Sequence, residues 1–261
     1  MTEVITSAQN PKVKDFIQLI EKSKERRSRG IFIVEGLREC RRALASGFEP
    51  QTLLVCDNYL SEPFDGLEKI TFHVSEAVYD KLACRGGTEG VIASFKARGY
   101  TLGDIRFREE PLVLVLESVE KPGNIGAVLR TADAAGADAV IVCDPLTDIY
   151  NPNLIRASLG AIFSVPVVAC TSQEACKWLK TNKIQILTAQ LQDSEFYYDT
   201  DMTRGTAIVM GTEDKGLTDY WRENSDSKIL IPMNGLVDSL NVSVSAAILC
   251  FEAVRQRQSR K

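Results

Sequence analysis

The chain has 261 residues, 44% of them hydrophobic and 25% charged, enough for one large or two modest domains with a sizeable core. No stretch approaches the roughly 18 consecutive apolar residues of a membrane span, and the opening MTEVITSAQNPKVK lacks a signal peptide's apolar run, so a soluble, cytoplasmic protein with no membrane partner is expected. A net charge of −4 argues against coating nucleic acid by bulk electrostatics, while seven scattered cysteines without a C-x-x-C pair suggest neither a zinc site nor a disulfide framework, and a single histidine, His73, leaves any His-based triad depending on one residue with no Ser or Cys elbow motif near it. No metal is expected, and His73 is read as structural.

Charge is unevenly placed. Residues 1–42 carry ten Lys and Arg against six acids, leaving a net −8 for the remainder. Such a basic front suits a phosphate-rich ligand, with a solvated helix face as the alternative reading. The first element is a helix from Pro11 to about Glu25, with apolar positions Val13, Phe16, Ile17, Leu19 and Ile20 and with Asn10 placed to cap it. GIFIVEG then reads as a strand, Leu37 to Ala45 as a helix, TLLVCD and ITFHV as strands, Ser75 to Leu82 as a helix and GVIASF as a strand. This alternation describes a small α/β domain over 1–98. The polar KARGYTLGDIRFREEP predicts a linker over 99–110.

A second domain, 111–261, opens on PLVLVLESV, the continuous apolar run of a strand buried on both faces of a parallel sheet. A glycine loop and a helix from Ile125 to Ala135 follow, then strand AVIVCD, helix IRASLGAIF, strand VPVVAC and a helix from Ser172 to Lys180. Strands IQILTA, TAIVMG and KILIPM and a helix from about Ser243 to Gln256 complete a doubly wound α/β pattern. The last helix is apolar on most of its surface, which requires burial in the fold or against a partner.

Three clusters exceed what a packed sheet needs. In KPGNIGAVLRTADAAGA, Gly123 and Gly126 allow a tight turn ahead of a helix N-terminus suited to an anion, and Asn124 and Arg130 are the polar residues to explain. In MGTEDKGLTDYW, Glu213 stands just past the carboxyl end of a strand, where open α/β sheets place ligands. In KILIPMNGLVDSLNVSVSAAILCFEAV, the residues Ser239, Asn241, Ser243 and Ser245 offer caps and hydrogen-bonding groups at the start of the last helix.

N-x-G-A-x-x-R-T-A, G-x-E-x-x-G-L and I-P-M followed by S-L-N-V-S-V resemble, in order and approximate separation, the three motifs of the SpoU (TrmH-like) family of RNA 2′-O-ribose methyltransferases, of the SPOUT class. The resemblance covers about Pro111 to Gln256 and implies a C-terminal domain threaded into a trefoil knot. S-A-Q-N-P-K-V-K and R-S-R-G-I-F-I-V-E-G-L-R-E resemble the opening of the family's substrate domain, a small α/β unit of ribosomal-protein type. The two-domain form points to ribosomal RNA, with transfer RNA modification or a non-catalytic RNA-binding protein of the same fold as alternatives. In NPNLIRAS, Asn153 stands where many relatives have lysine, which removes one expected phosphate contact.

The resemblance implies S-adenosyl-L-methionine held against Met210, Gly211, Ile231, Met233 and Leu240, and a homodimer built on the last helix and the helix carrying Arg130. It implies a catalytic set of Asn124, Arg130, Glu213, Ser239 and Asn241, in which Asn124, Glu213 and Asn241 orient Arg130 and Glu213 can pair with it. Lys12, Lys14, Arg26, Arg27, Arg29, Arg38 and Arg156 are the expected RNA contacts. The family assigns the residue matching Arg130 as the base for the 2′-hydroxyl. A guanidinium, with a pKa above about 12, is a very poor base, and a clamp on phosphate and developing alkoxide is the better physical reading.

Overall fold

The computed structural model describes residues 4–64, 66–84 and 89–259. The described residues fall into two compact units. One comprises those up to Arg98 together with Asp148–Ser164, and the other Gly99–Thr147 with Val165 onward. The first unit is therefore discontinuous in sequence, and residues 99–110, expected as a linker, belong to the second.

In the first unit, β1 (Val4–Ile5) precedes α1 (Pro11–Glu21), whose N-cap Asn10 accepts from the Lys12 amide at 2.9 Å and whose buried face is Val13, Phe16 and Leu19. The single helix expected to about Glu25 is in fact two. Lys22 adopts an extended conformation, φ −111° and ψ 106°, and α2 (Ser23–Arg29) restarts after it. Strand β2 (Ile31–Glu35), α3 (Leu37–Ala45), β3 (Pro50–Val55), β4 (Thr71–Val74), α4 (Glu76–Leu82) and β5 (Val91–Lys96) follow. The sheet order is β1-β4-β3-β5-β2, with β5 antiparallel to both its neighbours. The pair β1 and β4, and the pair β3 and β4, run parallel. His73 lies on β4 with Nδ1 2.9 Å from Asp57.

In the second unit every strand pairing is parallel. Strand β6 (Leu112–Glu117) is buried at all six positions, as its unbroken apolar run requires, and leads into α5 (Pro122–Ala135). After β7 (Ala139–Cys143) the chain forms α6 (Pro152–Ala157) and α7 (Ala161–Ser164), the two pieces into which the expected helix IRASLGAIF breaks. Both pieces fold with the first unit, where Tyr150 stacks on Phe32 at 4.3 Å between ring centroids. The chain continues with β8 (Val167–Cys170), α8 (Ser172–Thr181), β9 (Gln185–Ala189), β10 (Glu195–Phe196), β11 (Thr206–Met210), α9 (Asp219–Asn224), β12 (Ser227–Leu230) and α10 (Val242–Gln258).

The second sheet runs β10-β12-β9-β11-β6-β7-β8. The order departs from β6 in one direction through β7 and β8 and in the other through β11 and β9, so the strands' carboxyl ends offer the crevice where open α/β sheets bind ligands.

The first unit also corrects an expectation. Arg26 is 4% exposed: its Nε donates to Asp148 at 2.6 Å and its Nη1 to the carbonyls of Leu19 and Ile20. A guanidinium so enclosed is a structural tie, not an RNA contact. Asp148 is equally covered, at 6% side-chain exposure, and removing one partner strands the other charge without solvent. Arg26→Met is expected to destabilise this unit by about 3–5 kcal/mol in urea denaturation followed by circular dichroism, with part of the loss recovered when Asp148→Leu is added.

Candidate active site

The three polar clusters meet in the second unit. Pro122 occupies the first turn of α5, where its missing N–H costs nothing, and Asn124 is the third residue of that helix. Past β11 the chain turns sharply through residues 211–216. The Thr212 and Gly216 backbones bond to each other in both directions, and Gly216 takes φ +66°. A Cβ on Gly211 would lie 2.2 Å from the carbonyl of Gly216, so only glycine fits there. This turn presents Glu213. The third contributor, Asn241, is the N-cap of α10 and accepts from the Ser243 amide at 3.0 Å and its hydroxyl at 2.6 Å.

Glu213 is the hub. Its Oε2 accepts from Lys121 Nζ at 2.6 Å, and its Oε1 accepts from Asn124 Nδ2 at 2.9 Å and Asn241 Nδ2 at 2.5 Å. Asn241 also donates to Asn124 Oδ1 at 3.2 Å. The Lys121 ammonium, followed by the Asn124 amide, holds the Glu213 carboxyl below its ordinary value of 4.5. Lys121 is raised in turn, chiefly by the same bond.

Beside this network, at the carboxyl ends of β9, β11 and β12, lies a cleft of about 310 Å³. Met210, Gly211, Ile231, Met233 and Leu240 all line it, as do Glu213 and Ser239. Ser239 is exposed, and its hydroxyl donates to Asp238 at 3.3 Å. Two covered polar atoms in the cleft wall lack a partner among the described residues: Gln190 Oε1, an acceptor, and Arg222 Nε, a donor. Arg222 is carried on α9, which is anchored by a buried carboxylate that the sequence reading passed over. Glu117, 3% exposed at the end of β6, accepts from the Thr218 amide at 2.8 Å and its hydroxyl at 2.7 Å. Trp221 Nε1 donates to Ser172 Oγ at 3.0 Å and fixes the same helix.

Arg130 is not part of the network. It is exposed on α5 and has no hydrogen bond or ion pair among the described residues, so the expected pairing with Glu213 is replaced by Lys121. Lys121 stood in the first cluster without being singled out, because nothing in K-P-G-N tells which residue a lysine's flexible stem will reach.

The remaining candidates lie in the first unit. Lys14 and Arg27 are exposed, and exposed Lys12 places Nζ 3.9 Å from the Phe72 ring centroid. Arg29 forms a two-pronged pair with Asp15 at 2.5 and 3.0 Å, Arg38 pairs with buried Glu39 at 2.6 Å, and Arg156 donates to Asn153 at 2.8 Å.

Residues 111–251 match the SpoU rRNA Methylase family, and residues 10–93 match the MRM3-like substrate binding domain. The chain belongs to the SpoU rRNA methylase family. It is 36% identical to the 23S rRNA (guanosine-2′-O-)-methyltransferase RlmB of Escherichia coli, over 92% of this chain and 94% of that one. It is 31% identical to the 23S rRNA (guanosine(2553)-2′-O)-methyltransferase RlmP of Bacillus subtilis, over 95% and 97%. Among solved structures, the SpoU methyltransferase AviRb from Streptomyces viridochromogenes in complex with AdoMet aligns with a TM-score of 0.86 at 28% identity, over 96% of this chain and 99% of that one. The parallel sheet of the second unit is thus a SpoU methylase sheet, and α1 to α4 lie within the part that matches a substrate-binding domain.

The depressed carboxyl has a measurable consequence for this SpoU methylase. A group lowered on folding contributes stability above its unfolded value and loses it as pH falls through the folded one, so the network should stay intact through pH 5 and come apart only below the ordinary carboxylate range. Carbon-detected NMR titration should place Glu213 below 4.5, and Lys121→Met should move it back towards that value. An unshifted Glu213 in the wild-type protein would break the assignment of the hub.

Proposed function

We propose that this chain is an RNA methyltransferase that transfers a methyl group from S-adenosyl-L-methionine to a ribose 2′-hydroxyl of large-subunit ribosomal RNA. The observation that carries the reading is the junction of the three motif segments at Glu213, directly beside a cleft walled by Met210, Gly211, Ile231, Met233 and Leu240. The cleft suits such a cofactor. Apolar side chains can flank an adenine whose edge bonds to backbone, and the orphaned donor on Arg222 and acceptor on Gln190 call for a polar ligand. The trefoil knot expected of the family belongs to the same reading.

The cofactor supplies a methyl group already activated on a sulfonium. What the chain must do is hold the ribose hydroxyl in line and accommodate its proton. Arg130, an exposed cation without a partner among the described residues, is free to grip the phosphate next to the target ribose and to stabilise the developing alkoxide, with the proton leaving to a phosphate oxygen or water. Asn124, Glu213 and Asn241 hold the loops in register, and Ser239, at the cleft's edge, positions the hydroxyl. Lys12, Lys14 and Arg27, with the more engaged Arg29, Arg38 and Arg156, serve as RNA contacts on the first unit.

The reading includes a twofold dimer. Helix α10 buries Val242, Ala246, Leu249, Cys250 and Ala253 in its own unit, yet leaves Val244 and Phe251 each 47% exposed on the stripe that also carries Ile248. Residues spaced i, i+4 and i+7 form one face, and a twofold partner would cover it with the same patch.

Mass mapping of 23S rRNA from cells with and without the gene tests the assignment; loss of one 2′-O-methyl group is expected, and a change confined to tRNA would redirect it. Arg130→Ala should leave cofactor affinity within a few-fold but lower methyl transfer at least about a hundredfold, the scale of losing a transition-state electrostatic donor. Appreciable activity in Arg130→Lys without new pH dependence supports the clamp over the base. Sedimentation should give a dimer at micromolar concentration, and Val244→Glu with Phe251→Glu should yield monomer; a fully active wild-type monomer would remove the dimer from the reading.

A further inference from the structure

Two atoms in the cleft wall are covered without being satisfied, and they are of opposite kind. Arg222 Nε is a donor with no acceptor, and Gln190 Oε1 an acceptor with no donor, among the described residues. A buried polar group left in this state is costly, and native proteins reserve such groups for a ligand or ordered water. Both residues line the same 310 Å³ cleft, Gln190 just past the carboxyl end of β9 and Arg222 within α9.

The remaining bonds of both side chains leave these two atoms without a partner among the described residues. The Gln190 side-chain amide nitrogen donates to the Gln192 carbonyl at 2.9 Å, which assigns the opposite end of the amide as acceptor. The nearest carboxylate to Arg222 is Asp219, at 3.5 Å and 86% exposed, a solvated neighbour that leaves the guanidinium able to bind elsewhere. The helix carrying Arg222 is not a loose surface turn: Glu117 holds its start through Thr218, and buried Trp221 is bonded to Ser172. Of the other charged groups in the wall, Asp214, Lys215 and Asp238 are exposed and solvated, and Glu213 is already engaged by Lys121.

We propose that Arg222 and Gln190 bind the amino-acid end of the cofactor, the Arg222 guanidinium donating to the α-carboxylate and the Gln190 carbonyl oxygen accepting from the α-ammonium. This rests on the reading of the cleft as a cofactor site and extends it to the part of the ligand that backbone groups and apolar walls do not serve. A zwitterion requires one donor cation and one acceptor, and among the described residues of the wall the covered atoms left without a partner are one of each kind.

The test is calorimetric binding of three adenosine thioethers to the full chain. S-adenosylhomocysteine carries both charged groups, its decarboxylated form only the ammonium, and 5′-methylthioadenosine neither. The wild-type protein should bind S-adenosylhomocysteine at least about tenfold more tightly than 5′-methylthioadenosine, the scale of one charge-assisted hydrogen bond. Arg222→Met should erase the preference for the carboxylate while leaving 5′-methylthioadenosine affinity unchanged, and Arg222→Lys should restore part of it. Gln190→Met should weaken both ammonium-bearing ligands and spare the third. Equal losses for all three ligands would place these residues at the nucleoside and overturn the proposal. So would a wild-type protein that binds S-adenosylhomocysteine and 5′-methylthioadenosine alike, an outcome that stands whether or not the variants fold. Failure of the wild-type protein to bind any of the three would instead reject the cleft as the cofactor site, and this inference with it.

Discussion

One carboxylate ties the second unit's functional segments together. Glu213 receives Lys121 and Asn124 from the start of α5 and Asn241 from the start of α10, so segments about 30 and 90 residues away in sequence converge on two oxygens. The location is electrostatically apt. Two helix N-termini meet there, each with amides lacking intrahelical partners and a partial positive charge, and an anion between them is favoured by both. Neutralising Glu213 would remove the acceptor that three donors share and release the first turns of two helices from each other.

The glycines around Glu213 serve the same end. Gly211 has no room for a Cβ against the Gly216 carbonyl, and the turn closes through a pair of backbone bonds between Thr212 and Gly216. A glutamate on a longer, looser loop would lose conformational entropy on meeting its partners. Here the turn is fixed first, and the side chain has only its own rotamers to order. Part of the cleft wall is formed by the same turn, so the stability of the hub and the shape of the cleft are not independent properties.

Much of this was legible in the sequence. Unbroken apolar runs such as LVLVLE and AVIVC located the buried strands of a parallel sheet, and polar residues left over at strand ends singled out the side chains that meet at Glu213, because packing gives no reason for Asn124, Glu213 or Asn241 to be where they are. What remained hidden depended on tertiary proximity. Arg26 read as one more cation in a basic helix, and only its partner 122 residues away, Asp148, shows that it is buried. Lys121 and Arg130 were both cations of the first cluster, and no periodicity reveals which one Glu213 meets. Glu117 looked like the end of a strand, and its bond to Thr218, 101 residues on, has no local signature. The return of Asp148–Ser164 to the first unit was equally invisible, since a helix is written the same way whichever core it joins.

Helix α10 shows how placement of a capping side chain can be secured from the far end of its helix. Asn241 caps the helix and bonds to Glu213 with opposite ends of one amide: the oxygen serves the Ser243 amide, the nitrogen the carboxylate. The cap therefore reaches its target only at one axial position of the helix. Near the other end, Arg257 donates to the carbonyls of Met202, Glu110, Pro111 and Arg204, four backbone acceptors from two segments that precede β6 and β11. A fork of donors bound to fixed carbonyls resists sliding far better than an apolar face, which can shift by a turn and still be buried. Buried Ala246, Leu249 and Ala253 give α10 its affinity for the sheet and for α5, but Arg257 and Asn241 fix its position along its axis, and that position is what brings the Asn241 amide to Glu213.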